Sequence, residues 1–276
     1  MLIAVLNSKG GVGKSTIAVH TTVWLREQGV NVALLDADEQ GSSSAWAADA
    51  APGLPVLRYT AAREILAGTP RARAWYEAIV ADGPAALNAE IASLATQADL
   101  VVMPLLPSML DIAATFRTAR AIYKLRFESG RDGRPRALTV LNRATSRTRL
   151  AQLAVKTIQQ YGFPVSPVVL EARLAYVEAC QKSTVVWRMG KRAAPAAAEI
   201  NRVCELMLKQ LPDHPVAARV LRRRQSKQRT TILAQRCTAA QNVAMDGESV
   251  PMVTPPQPTA GISSPTAQNA GLRQTD

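Results

Sequence analysis

Aromatic side chains are scarce in this chain, at 4% of 276 residues. Any core must therefore rest on Ala, Val, Leu and Ile, and an apolar content of 47% can supply one. Cysteine is scarce too. Cys180, Cys204 and Cys237 are scattered, odd in number and never in C-x-x-C spacing. That excludes a disulfide framework, a zinc site or a cluster carrier, and it fits a reducing cytosol. Long apolar runs are missing. The longest candidate, residues 100–114, is broken by Pro104, Pro107 and Asp111, short of the roughly 18 residues a transmembrane helix needs. The apolar run at residues 1–7 has no basic flank and reads as a first strand, not a signal peptide. Acidic residues are in deficit, with 21 Asp and Glu against 33 Lys and Arg, a net charge of +12. Such an excess favours a polyanionic partner, either nucleic acid or an acidic membrane surface.

Short apolar runs alternate with longer helical patterns, which predicts a doubly wound, mainly parallel α/β sheet covered by helices. Strands are expected at residues 2–6, 31–36, 55–59, 77–82, 99–104 and 136–142, with an edge strand at 165–170. Helices are expected at 14–28, 41–48, 85–96, 111–127, 147–161, 174–182 and 194–211. From Pro212 onward no apolar period is sustained. A basic cluster at 219–229 gives way to a run rich in Pro, Ser, Thr and Gln. The chain therefore divides into a folded domain, 1–211, and a basic tail, 212–276, expected to be mostly disordered.

The segment Ser8-Lys9-Gly10-Gly11-Val12-Gly13-Lys14-Ser15-Thr16 lies between the first strand and the first helix. Its glycines let backbone N–H groups turn inward and approach phosphate closely. The following helix aims its positive end at the same anion. Lys14 can place its charge between β- and γ-phosphates, and the Ser15 hydroxyl can ligate Mg²⁺. The plain alternative is a glycine-rich turn. The ordinary G-x-x-x-x-G-K-[ST] pattern would need Gly at position 8; Ser8 stands there, and a second lysine, Lys9, precedes the double glycine.

Two strand ends add carboxylates. Asp36 and Asp38 lie in L-L-D-A-D-E-Q-G, and Asp82 closes the apolar run A-I-V-A-D. Carboxylates at the carboxyl edge of such a sheet face bound phosphates, and an Asp there can hold Mg²⁺ through water. The bland alternatives are a helix N-cap for Asp38 or Asp36 and a simple Asp-Gly turn at Asp82.

With these motifs the chain resembles the ParA/MinD family of deviant Walker A P-loop ATPases, and is closest in pattern to small partition proteins. The resemblance covers roughly residues 1–210. Downstream it rests on Ala98–Pro104 with Pro107-Ser108, on Leu138–Asn142, and loosely on 172–200. It implies ATP and Mg²⁺ as cofactors and a homodimer that closes on ATP, with Lys9 reaching the partner's nucleotide. It implies that Gly10, Gly11, Val12, Gly13, Lys14, Ser15 and Thr16 bind phosphate, and that Lys9, Asp38 and Lys14 serve catalysis, Asp38 by orienting water. Ser15, Asp36 and Asp82 would hold or support the metal. Asn142 would read adenine, its amide offering a donor and an acceptor; capping the next helix is the alternative. Glu39 departs from the family's usual Pro and puts the hydrolysis rate in question. A slow ATPase stimulated by the arm of a centromere-binding adaptor is implied, acting in plasmid or chromosome segregation in a cytoplasmic, nucleoid-associated location.

Basic residues favour non-specific DNA as the track. Ten of them fall within 117–149, opposed only by Glu128 and Asp132. Candidate contacts are Arg117, Arg120, Lys124, Arg147, Arg149, Arg173, Lys191 and Arg192, which would neutralise phosphates and release counterions. A solvated surface is the alternative. A membrane partner is disfavoured, because 216–224 lacks a long apolar face. The second functional reading is a MinD-like or conjugation-associated ATPase that positions a protein complex or acts at a membrane.

Overall fold

The computed structural model describes residues 1–128, 130, 133–145, 148–160 and 162–245, the last fifteen by backbone alone. Six parallel strands form one sheet: β1 (Leu2–Val5), β2 (Val32–Asp36), β3 (Val56–Arg58), β4 (Ala78–Asp82), β5 (Leu100–Leu105) and β6 (Arg136–Leu141), in the order β3-β2-β4-β1-β5-β6. This is the parallel doubly wound sheet that the alternation predicted. Its strands read as continuous apolar runs because both faces are covered.

Side-chain alternation sorts the core into two layers. Ile3, Val5, Leu34, Val80 and Val102 face one side, with Ile17, Val23 and Trp24 of α1 (Lys14–Glu27), Trp46 of α2 (Ser42–Ala50) and Ile200 and Met207 of α8 (Ala194–Lys209). Leu2, Ala4, Leu35, Ile79 and Val101 face the other. There they meet α3 (Ala62–Trp75), α4 (Ala89–Gln97), α5 (Met109–Glu128) and α6 (Arg149–Gln160) through residues such as Ile65, Leu94, Ile112 and Ile158. The short helix α7 (Leu174–Gln181) leads to two 3-10 turns, Val186–Arg188 and Lys191–Ala193, before α8.

Three elements differ from the sequence expectation. Helix α3 is absent from the expected elements, and it forms although Gly68 and Pro70 lie inside it. Packing overrides that local preference: Ile65, Thr69 and Ala72 recur at helical spacing and are buried, and the Glu64 carboxylate accepts the Thr60 and Ala61 N–H groups at the start. The edge strand at 165–170 reduces to two single bridges, Thr139 to Val165 and Asn142 to Leu170, because Pro164 and Pro167 have no N–H to donate.

The third difference lies in the segment after Pro212, where a helix, α9 (Pro215–Met245), stands in place of disorder as far as Met245. Val216, Ala217 and Val220 of its first turns are buried in the first core layer. Arg219 and Arg224 pair with Glu77 and Glu205 at 2.8 and 2.7 Å. The compact first unit accordingly runs to Ser226 and not to residue 211; a second begins at Lys227. The expectation of disorder for 246–276 lies outside the described residues. Among the described residues no helix is long and apolar enough to cross a membrane.

Candidate nucleotide site

The loop between β1 and α1 occupies the carboxyl edge of the central strand, where open α/β sheets hold their ligands. Gly13 is the residue before α1 and adopts φ 96°, a left-handed conformation that favours glycine. A Cβ there would come within 2.2 Å of the Asn142 Nδ2 atom. The first turn of α1 carries no acidic residue and no side-chain cap, so its N–H groups and positive end stay available to an anion.

Lys14 is buried, and its ammonium donates to the Lys9 carbonyl at 3.0 Å. Burial lowers its pKa, while the Asp82 and Asp38 carboxylates oppose that shift. Lys9 is different. Its ammonium lies 2.8 Å from Asp111 Oδ1 on α5, and its side chain is 38% exposed. The two lysines of the motif thus point to different places.

Asp36 and Asp82 are opposite each other in the β2–β4 register, at the ends of adjacent strands. Asp82 is 1% exposed, and its Oδ1 has no hydrogen-bond partner among the described residues. Burial pushes its pKa up to about 7, with the Ser15 and Ser43 hydroxyls and Lys14 pulling it back and Asp36 adding to the rise. A buried, orphaned carboxylate oxygen beside a serine hydroxyl is a donor set suited to a hard cation such as Mg²⁺.

Asp36, beside Asp82, accepts hydrogen bonds from its own chain. Its Oδ1 accepts the Asp38 N–H at 3.1 Å, and its Oδ2 accepts both the N–H and the hydroxyl of Ser44 at 2.9 and 2.5 Å. Both oxygens are engaged in bracing the loop and the start of α2.

Asp38 is not the cap of α2, because Gly41 holds that position. Its Oδ1 accepts the Gln40 N–H at 3.0 Å, and its Oδ2 makes no hydrogen bond among the described residues. Sequence reasoning missed Arg58, at the end of β3, which donates to the Asp38 and Glu39 carbonyls at 3.4 and 3.2 Å and so holds the turn where the family's Pro is absent. Nothing in a weak strand ending in Arg signals that contact.

Asn142, at the end of β6, is buried and donates from Nδ2 to the Val12 carbonyl at 2.8 Å. It does not cap α6, which starts seven residues later with Thr148 accepting the Ala151 N–H. It borders a pocket of about 540 Å³ beside the phosphate loop, also lined by Thr16, Arg143, Leu170, Tyr176 and Cys180.

His20 on α1 is another residue that the motifs did not reveal. It is fully buried, and burial lowers its pKa to about 4. Nδ1 lies 2.7 Å from the Thr16 carbonyl and so carries the proton, while Nε2 accepts the Val186 N–H at 3.2 Å. The rings of Trp46, Tyr176 and Trp187 meet it edge-on. It ties the phosphate-loop helix to the segment before α8.

The candidate DNA contacts are dispersed. Arg117, Arg120 and Lys124 are exposed on one face of α5, at spacings of three and four. Arg149 is exposed at the start of α6, and Lys191 and Arg192 are exposed in the second 3-10 turn. Arg173 is committed elsewhere, at 2.8 Å from Glu171 and 2.6 Å from Glu199. Arg147 lies outside the described residues.

A left-handed glycine before a helix, a buried lysine, a serine and two strand-end aspartates on a parallel sheet define a P-loop nucleotide-binding protein. Residues 3–185 match the family model described as the CobQ/CobB/MinD/ParA nucleotide binding domain, and the chain belongs to that family. The Maintenance of carboxysome distribution protein A of Halothiobacillus neapolitanus is 32% identical over 208 residues, 73% of this chain and 93% of that protein. Its namesake in Gloeobacter kilaueensis is 35% identical over 209 residues, covering 74% and 92%. Among solved structures, the ATP complex of McdA from Cyanothece superposes with a TM-score of 0.60 at 15% identity, over 75% of this chain and 96% of that one. MinD of Aquifex aeolicus, in its complex with MinC, gives 0.59 at 16% identity over 75% and 96%. These two share the fold. The cofactors that suit the site are ATP and Mg²⁺.

Proposed function

We propose that this chain is an ATPase whose nucleotide-bound form is a homodimer that tracks on DNA to position a cargo. The observation that carries the reading is the different placement of the two lysines. Lys14 is buried at the helix start, near Asp82 and Asp38, where it neutralises phosphate charge in its own site. Lys9 is partly exposed, rests against Asp111 on α5 away from Lys14, and would serve the nucleotide of a second copy once it leaves that contact.

Ser15 and Asp82 would hold Mg²⁺, which when bound supplies charge that draws electron density from phosphoryl oxygens. Asp38 keeps one oxygen unengaged beside the loop and orients the attacking water by accepting its proton in a hydrogen bond. Asn142 holds the loop's Val12 carbonyl and borders the pocket that would take the base. The exposed face of α5, with Arg149, Lys191 and Arg192, offers phosphate contacts that need no base reading. Association with the nucleoid follows from such binding, and an adaptor protein would stimulate hydrolysis and thereby release.

Partition of a plasmid or chromosome is one use of such a switch. Distribution of a large protein assembly is the second reading, favoured by the two relatives at 32% and 35% identity whose names describe maintenance of carboxysome distribution. The test is binding to a non-specific duplex with ATP, with ADP and without nucleotide, at two salt concentrations. Binding that requires ATP, weakens steeply with salt and disappears in Lys9→Ala supports the reading. ATP binding without ATP-dependent DNA binding removes DNA as the track.

A further inference from the structure

We infer that Asp111 is a positioning residue that holds Lys9 in its own chain and sets how readily the ATP-bound chain dimerises. The inference rests on the reading that Lys9 acts across a dimer. It is carried by the way α5 grips the leading edge of the phosphate loop. Asn7 donates from Nδ2 to the Pro104 carbonyl and the Thr115 hydroxyl at 2.7 and 2.8 Å, and its Oδ1 accepts the Lys9 N–H at 3.0 Å. The Ser8 N–H donates to the Thr118 hydroxyl at 3.1 Å, and the Ser8 hydroxyl donates to the Ala114 carbonyl at 3.3 Å. The Lys9 backbone is therefore fixed against α5, and only its side chain can choose a partner.

That side chain is held by the Asp111 carboxylate. Asp111 is 3% exposed, and the Ser108 hydroxyl occupies its Oδ2. Its Oδ1 faces the Lys9 ammonium at 2.8 Å and has no other polar partner among the described residues. A buried carboxylate oxygen with no other compensation attracts the ammonium, and vacating it carries a penalty. The contact is nonetheless reversible, because the lysine end of the pair is partly exposed to water. Met109 and Leu110, 62% and 77% exposed, flank it on the same helix end.

Every chain that enters the dimer must therefore break its own Lys9–Asp111 contact before Lys9 can cross. Two such contacts open per dimer, so a threefold weight on each compounds to about tenfold in the dimer dissociation constant. The contact keeps single chains single until nucleotide from a second copy outbids the aspartate.

The test measures two constants on the full chain: ATP affinity at protein concentrations where the chain is monomeric, and the dimer dissociation constant with saturating ATP and Mg²⁺. Asp111→Asn removes the charge at nearly constant shape. It is expected to tighten the dimer about tenfold while monomer ATP affinity changes less than about twofold. Asp111→Glu, which keeps the carboxylate, should return most of the wild-type value. Ser108→Ala is a second variant should Asp111→Asn perturb the start of α5; by loosening Asp111 it should shift the dimer constant in the same direction by a smaller factor. A dimer constant for Asp111→Asn equal to or weaker than wild type, with ATP affinity intact, overturns the inference. A wild-type chain that never dimerises with ATP sinks the reading beneath it instead.

Discussion

The carboxyl edge of the sheet and the outer face of α5 lie on the same domain but obey different physics. At the edge, Lys14, Asp82, Asn142 and His20 are buried, each held by one or two defined contacts or left with one polar atom unmatched. On α5, Arg117, Arg120 and Lys124 are exposed, and the Lys124 pair with Glu128 spans a loose 3.7 Å. Buried groups act singly and cannot be exchanged, whereas exposed charges act as a sum. The difference teaches where single substitutions should be decisive and where only combinations should matter.

The largest effect is expected at the edge. Lys14→Ala removes the buried ammonium and should weaken ATP binding by a factor of about 100 or more, read by titration with a fluorescent nucleotide. Retention of near wild-type affinity would remove Lys14 from the phosphate site. Next comes Gly13→Ala, which forces a Cβ into Asn142 at φ 96°. It should lower stability by about 1–3 kcal/mol and weaken nucleotide binding as well, seen in thermal melts with and without ATP. An unchanged melt would show that the loop can relax away from Asn142.

His20 gives a pH test of the same interior. Its folded pKa of about 4 lies below the ordinary 6.5. Its contribution is therefore complete above pH 6.5 and is lost as pH falls toward 4, because the unfolded chain takes up a proton that the folded chain refuses. The size is on the order of 3 kcal/mol. Asp82, raised to about 7, acts in the opposite direction, losing stability as pH rises from about 4 to 7. The His20 part is thus read as the difference between wild type and His20→Gln, measured by denaturant unfolding without metal. That difference should shrink as pH falls from 6.5 to 4, and a constant difference would contradict the buried neutral ring.

The smallest single effects are expected on α5. Arg117→Glu, Arg120→Glu or Lys124→Glu alone should change DNA affinity only a few-fold and leave melting unchanged, while the triple reversal should flatten the salt dependence by about three phosphate contacts. A single reversal that abolishes binding would mean that this face works like the interior.

The same division explains what was legible in the sequence. The phosphate loop and the six strands could be read because glycines, a lysine pair and apolar runs ending in Asp serve local backbone needs. Lys14, Asp82 and the opening of α1 stand where the motif placed them. Asp36 could not be read fully, because its engagement by Ser44 depends on how α2 begins, eight residues away. Arg58, His20 and Asp111 act through partners 19 to 166 residues distant, a separation that no local pattern encodes. Helix α3 holds Gly68 and Pro70, and buried side chains outweigh that local preference; α9 lacks an apolar period, but its Ala, Leu, Arg and Gln favour helix once its first turns are buried. The charge count pointed to a polyanion but did not show that Arg173 was already paired with Glu171 and Glu199.

The central claim is that Lys14 serves its own nucleotide and Lys9 the nucleotide of a second copy. Its most direct test is the molecular mass of Lys9→Ala by sedimentation with saturating ATP and Mg²⁺, beside wild type. The account predicts a dimer for wild type and a monomer for the variant, with ATP affinity of the monomer preserved. A variant that dimerises as wild type does, or that cannot bind ATP as a monomer, would contradict it.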